Sequence, residues 1–145
     1  MSLLIEAADK AIVRAAPVFS GLPQPAFEAL LNGAAVKTVS RGETLFMQGD
    51  PVNYFFVVLE GWVKVYRVTP SGGEAVVAIF TRGQSFAEAA AFVGGRFPAS
   101  GEAVTEGRLL CVQSGNLLRL IYENSDIGLA MLASTSMHLH MLVQQ

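Results

Sequence analysis

From Val36 onward the chain is a succession of short apolar runs separated by turn-forming residues. That pattern limits the fold more than any other feature. "VKTVS", "ETLFMQ", "YFFVVLE", "WVKVYRVT", "EAVVAIF" and "RLLCVQS" are rich in β-branched and aromatic residues, and "RG", "GDPVN", "EG", "PSGG", "TRG" and "EG" stand between them. Turn signals that recur every roughly 8–12 residues describe a sandwich or barrel. Gly42, Gly49, Gly61 and Gly83 fall between strands, where a tight corner calls for positive φ, so their role is read as one of fold rather than ligand contact. "EGWVKVYRVTPSGGEAVVAIF" reads as a hairpin, in which Trp62, Lys64 and Tyr66 alternate with Val63, Val65 and Arg67 before a turn from Pro70 to Gly73.

Helices are expected on either side. Leu4, Ala8, Ile12 and Ala15 repeat at helical spacing between Leu3 and Ala16. Pro17, Pro23 and Pro25 then break the chain, and Pro25 suits the first turn of a second helix running to Ala34. After the strands come "SGNLLRLIYEN", with Ser114 as expected N-cap, and "NSDIGLAMLASTSMHLHMLVQQ", capped by Ser125 or Asp126. The last helix carries no Asp, Glu, Lys or Arg after Asp126. Ile127, Ala130, Met131, Ser134, Met137, His138 and Met141 form one stripe, and Leu129, Leu132, Leu139 and Val143 cover much of the rest. A helix without a polar face needs burial on more than one side. A twin helix in a homodimer is the expected cover, with Ile127, Met131, Ser134, Met137, His138 and Met141 as the seam; an ordinary core helix is the other reading. The organisation read from these signals is mostly β with flanking helices: a helical segment 1–34, a β-roll 35–114 and C-terminal helices 115–145.

Composition narrows the function. The 145 residues fit one domain, and 52% hydrophobic against 15% charged residues hints at a buried partner surface. Net charge is −2 with no Lys/Arg run, so these residues lack the basic patch of a DNA-binding surface. No apolar run reaches the roughly 18 residues of a membrane span, and no signal-peptide layout is present. The single cysteine, Cys111, sits in an apolar strand and reads as a core thiol, which makes the cytoplasm the expected compartment. No nucleophile–base pair, Walker loop or G-x-S-x-G motif occurs, and no His/Cys/Asp cluster has zinc spacing. The chain is therefore not expected to be an enzyme or to hold a metal.

The turn positions carry a resemblance. Gly42, Glu43, Leu45, Phe46, Gly49, Asp50, the run Tyr54 to Val58, Gly61, Val63, Val65, Gly83 and Glu88 resemble the cyclic-nucleotide-binding jelly roll of the catabolite-activator/FNR family of bacterial transcription regulators. The resemblance runs from about Phe19 to the end. It implies an antiparallel double-stranded β-helix followed by a dimerisation helix, and a cytoplasmic homodimer that senses a small-molecule effector. In that family DNA is read by a helix-turn-helix domain. No such pattern occurs in these residues, so DNA contact is expected only through a domain outside them.

In nucleotide-binding members, the segment matching "GQSFAEAAAFVGGRFPAS" is a phosphate-binding cassette. It offers backbone N–H groups, a carboxylate for the ribose hydroxyl, and an Arg-Ser/Thr pair for the phosphate. Glu88 falls on the carboxylate. Ala87 stands where glycine is usual, followed by Ala89. Pro98 and Ala99 stand on the Arg-Ser/Thr pair, and Pro98 has neither charge nor N–H. Arg96 lies two residues earlier, a shift that would keep its face in an alternating strand. The candidate ligand-binding set is thus Ala87, Glu88, Ala89, Arg96, Ala99 and Ser100. Three readings follow: a sensor of something other than a cyclic nucleotide, a true cyclic-nucleotide binder using Glu88 and Arg96, and a ligand-free dimerisation module. The nitric-oxide- and oxygen-responsive branches are similar in this segment, and some of their members hold haem. Candidate axial ligands here are His138, His140, Met131, Met137, Met141 and Cys111, although His138 and His140, two apart on a helix, cannot ligate one metal together. A lone cysteine rules out an iron–sulfur cluster of the FNR type.

Overall fold

The computed structural model describes residues 5–93 and 95–143, with the side chains of residues 138–142 outside the description. All six apolar runs are strands: β1 (Ala35–Val39), β2 (Thr44–Phe46), β3 (Tyr54–Glu60), β4 (Trp62–Val68), β5 (Glu74–Thr81) and, last in the chain, β8 (Gly107–Gln113). Two more, β6 (Ser85–Phe86) and β7 (Ser100–Ala103), lie in the segment that sequence leaves unassigned. They complete two four-stranded antiparallel sheets, β1-β8-β3-β6 and β2-β7-β4-β5, which face each other as a jelly roll. "SGEA" has little intrinsic preference for a strand. It becomes one because β2 and β4 pair with it from both sides, and because Gly101 leaves room for Phe46: a Cβ there would lie 2.6 Å from that ring. Gly42, Gly49, Gly61 and Gly83 all have positive φ, as the corner argument requires.

The expected hairpin forms between β4 and β5, with one departure. Val65 pairs with Ala78 and Tyr66 with Val76, so Val77 is an extra residue in a bulge. Such a bulge bends its strand and re-aims a side chain.

Helices α1 (Ala7–Ala15), α2 (Pro17–Ser20) and α3 (Gln24–Leu31) precede the roll. Pro17 opens a short helix of its own rather than only ending the one before it, and α3 stops three residues short of Ala34. The roll is interrupted by α4 (Glu88–Val93) and followed by α5 (Ser114–Glu123) and α6 (Ser125–Val143). Ser114 does not cap α5; it lies inside the helix and its hydroxyl donates to the Val52 carbonyl at 3.2 Å. Neither Ser125 nor Asp126 caps α6 with its side chain: Asn124 Oδ1 accepts from the Asp126 N–H at 3.1 Å.

Two apolar cores result, and β3 separates them. Phe55, Val57 and Leu59 face the first core, where α1–α3, α5 and α6 lie against the β1-β8-β3-β6 sheet; Phe56 and Val58 face the second, inside the roll. A strand buried on both faces reads as one continuous apolar run, which is what "YFFVVLE" is. An ion cluster ties α1 to the roll. Arg108 of β8 donates to both carboxylate oxygens of buried Asp9, at 2.8 and 3.1 Å, and to Glu60 at 2.8 Å. The Arg108 hydrogen bonds hold the Asp9 carboxyl below the usual carboxylate range.

The seam expected on the last helix needs correction. Ile127 and Met131 are buried in the chain's own first core. Ser134 packs on α2, where Gly21 permits the approach: a Cβ on Gly21 would lie 2.9 Å from the Ser134 Cβ. Their face is taken up internally because α2 lies along α6. Of the other seam residues Met137 is exposed, and the side chains of His138 and Met141 lie outside the described residues. The outward face carries Leu129 and Leu132, each more than 60% exposed.

Candidate effector site

Residues 83–93 and 95–100 form one wall of the roll and are zipped to the loop before β3. The Phe97 N–H donates to the Asp50 carbonyl at 2.9 Å, the Gly49 N–H to the Phe97 carbonyl at 2.9 Å, and the Val52 N–H to the Gly95 carbonyl at 3.0 Å. β6 pairs with β3, and Ala87 then turns the chain into α4 with φ at 68°. That is the left-handed region, which costs a residue with a Cβ roughly 1–2 kcal/mol. The backbone thus keeps the conformation for which glycine is the ordinary choice, although the residue is alanine.

Behind this wall lies an apolar cavity of about 210 Å³. Phe46, Phe80, Phe86 and Phe97 line it from the second core. Ala87, Ala89 and Ala90 form the α4 side, and Pro98 and Ala99 the side leading into β7. β4 and β5 contribute Val65, Val77 and Ala78. Neighbours on a regular strand point to opposite faces; the bulge lets both Val77 and Ala78 reach the cavity. Among the described residues none that lines it has a polar side chain. Phe46 and Phe97 stack with centroids 4.0 Å apart. Both rings also border a second hollow of about 310 Å³, whose wall includes Asp50, Asn53 and Tyr54.

The candidate set divides. Ala87, Ala89 and Ala99 line the cavity; Glu88, Arg96 and Ser100 do not. Glu88 opens α4 and accepts a hydrogen bond from the Ser85 hydroxyl at 3.1 Å through Oε1, whereas its Oε2 is buried without a partner among the described residues. Arg96 is exposed and its Nη1 donates to the Gly49 carbonyl at 2.8 Å, so its charge serves the loop contact. The Ser100 hydroxyl is buried and accepts from the Gln48 N–H at 2.8 Å. Sequence reasoning missed the phenylalanines and Val77. Their signals were the apolar, uncharged "AVVAIF" and the Phe97 placed just before Pro98.

The profile of the cyclic nucleotide-binding domain matches residues 36–124, which span most of the roll and α5. The chain belongs to the cyclic nucleotide-binding domain family. Its relatives include a CRP-like cAMP-activated global transcriptional regulator of Mycobacterium tuberculosis, 28% identical over 83% of this chain and 53% of the relative. A solved protein of Ruegeria pomeroyi, described as a candidate cyclic nucleotide binding protein, is 42% identical with a TM-score of 0.89, over 98% of this chain and 63% of that one. The sensor domain of the regulator DNR from Pseudomonas aeruginosa is 28% identical with a TM-score of 0.78, over 94% of this chain and 91% of that one. The chain therefore spans about half the length of the Mycobacterium tuberculosis regulator. By name these relatives are regulators or nucleotide binders rather than enzymes.

No arginine or lysine is among the described residues that line the cavity, and Arg96 donates to the Gly49 carbonyl. Met131 lies in the first core and Met137 is exposed on α6; neither they nor Cys111 line the cavity. The His138, His140 and Met141 side chains lie outside the described residues. Burial pushes the Cys111 thiol up to about 11, so it is protonated at neutral pH. Among the described residues no three His, Cys, Asp or Glu side chains are grouped to hold a metal, and no helix is long and apolar enough to cross a membrane.

Proposed function

We propose that this domain is the effector-sensing and dimerisation part of a Crp/Fnr-type transcription regulator, and that its effector is not a cyclic nucleotide. The observation that carries the reading is the lining of the cavity, which holds no polar side chain where a phosphate would need an arginine. A buried phosphate without a counter-charge costs several kcal/mol or more, as any unpaired buried ion does. The effector acts on α6 through packed elements. α4 forms a cavity wall and packs on α5, and α5 packs on α6. A ligand moves that lever only as far as it binds the two arrangements with different affinity.

Dimerisation is read from the outward face of α6. Leu129, Leu132, Ser136 and Val143 are exposed and fall at the 3-4-7 spacing of a coiled-coil seam. DNA contact belongs to a helix-turn-helix unit outside these residues, since this domain carries no basic patch.

Calorimetry with cAMP and cGMP tests the central claim. No saturable binding is expected from either, and binding should appear in the double variant Pro98→Arg/Ala99→Ser. Tight binding by the unaltered chain, lost in Arg96→Ala, would replace this reading with that of a genuine nucleotide sensor. The orphaned Glu88 oxygen is the observation that favours that second reading.

A further inference from the structure

We infer that the cavity between α4, β5 and the Phe46–Phe97 pair is a receptor site for a small uncharged aromatic molecule of one or two fused rings. The inference rests on the reading that the effector is not a cyclic nucleotide, and it names the class of molecule instead.

Size sets the first limit. An apolar cavity of roughly 150 Å³ stays dry and takes up benzene, so the 210 Å³ here suits one ring with substituents or two fused rings. Shape sets the second. The phenylalanines in and around the site stack pairwise: Phe46 is inclined by 15° to Phe97 and to Phe56, Phe86 by 17° to Phe56 and 21° to Phe80, and only Phe46 and Phe86 are more tilted, at 32°. Stacked rings present flat faces that a flat guest extends by offset stacking, whereas a bulky aliphatic guest of equal volume wastes those faces. Charge sets the third. The nearby cations are already engaged, Arg96 with the Gly49 carbonyl and Lys64 with Glu74 and Glu102. An anion inside would have no partner, and a cation would face no carboxylate in the lining.

The rim provides access. Val77 is 60% exposed and Ala89 is exposed, yet both line the cavity, so they stand at its mouth. The lining also includes the strained Ala87, and strain in a backbone collects where a site must hold its shape.

The test is titration calorimetry of the 145-residue chain with indole, cyclooctanol, benzoate and cAMP, alongside Ala89→Trp and Val77→Trp. Indole is expected to saturate at one molecule per chain and to bind at least about tenfold more tightly than benzoate, whose charge stays unpaired. Both tryptophan variants replace exposed residues, so their urea midpoints should stay near that of the parent while indole affinity falls about tenfold or more. Absence of saturable indole binding, with cAMP also silent, overturns this inference and leaves the non-nucleotide reading standing. cAMP binding that is lost in Ala89→Trp overturns both. Equal affinity for indole and cyclooctanol overturns the aromatic specificity. Indole binding untouched by either tryptophan overturns the location. A Soret band on adding haem, lost in Ala89→Trp, overturns the size class.

Discussion

The two cores are built from similar residues but to different standards of closure. The first, between the helices and the β1-β8-β3-β6 sheet, buries Phe19, Phe55, Leu110, Leu117 and Met131 completely. The second, inside the roll, is a stack of phenylalanines with a hollow beside it. The closed core ties α6 to α2 and α5, and so holds the element that the proposed effector would move. The open core leaves space where a ligand can enter. A sensor needs both, because a ligand that fills space in one region changes the other only when packed elements join them. Ala87 and Val52 touch both cores and sit at that junction.

The comparison breaks most sharply on α6. Met131→Glu places a charge in the closed core with no partner, which costs about 3–5 kcal/mol, a large share of the roughly 5–15 kcal/mol that holds a domain together. Its circular-dichroism melt should lose the cooperative transition. Leu132→Glu, one residue further, alters an exposed position and should leave the melt unchanged while shifting sedimentation toward monomer. Equal damage from the two would mean that α6 does not have an inside and an outside as described.

Ring removal gives the next largest contrast. Phe55→Ala empties the closed core and should cost about 3–5 kcal/mol in urea unfolding. Phe97 already borders a hollow on each side and so has fewer contacts to lose. Phe97→Ala should therefore cost less than half as much.

The Asp9–Arg108 clasp joins α1 to the roll from outside both cores. Arg108→Ala should cost about 1.5–3 kcal/mol at neutral pH, the range for hydrogen bonds to charged groups. Its pH dependence has a definite sign. Asp9 is more acidic folded than unfolded, so its contribution is complete above the ordinary aspartate value of 3.8 and is lost as pH falls from there through the folded value. Asp9→Asn should flatten that acid limb in urea titrations, which would otherwise stay as steep as in the parent.

The smallest expected change is at the junction. Ala87→Gly relieves the left-handed strain but makes the unfolded chain more flexible by about 0.4–1 kcal/mol, so stability should rise by no more than about 1.6 kcal/mol. A loss of stability would mean that the Ala87 methyl contributes more to the two cores than its conformation costs.

Much of this was legible in the chain. Six of the strands, the corner glycines and the hairpin follow from local patterns, because alternation and turn chemistry are properties of neighbouring residues. β6 and β7 were not legible, because two and four residues of ordinary polarity become strands only when partners flank them. Nor does local sequence show that Arg96 donates to a carbonyl 47 residues away.

The sequence by itself determined the family and the β-roll with its flanking helices. Each depends on residue type and short-range spacing. Only the tertiary structure decided which face of α6 is inside, that a bulge brings Val77 beside Ala78, and that the phenylalanines leave a hollow beside them instead of closing. Those outcomes turn on distances between residues far apart in the chain, such as Gly21 against Ser134 and Phe46 against Phe97. No local pattern records such contacts, because packing selects them only after the elements have met.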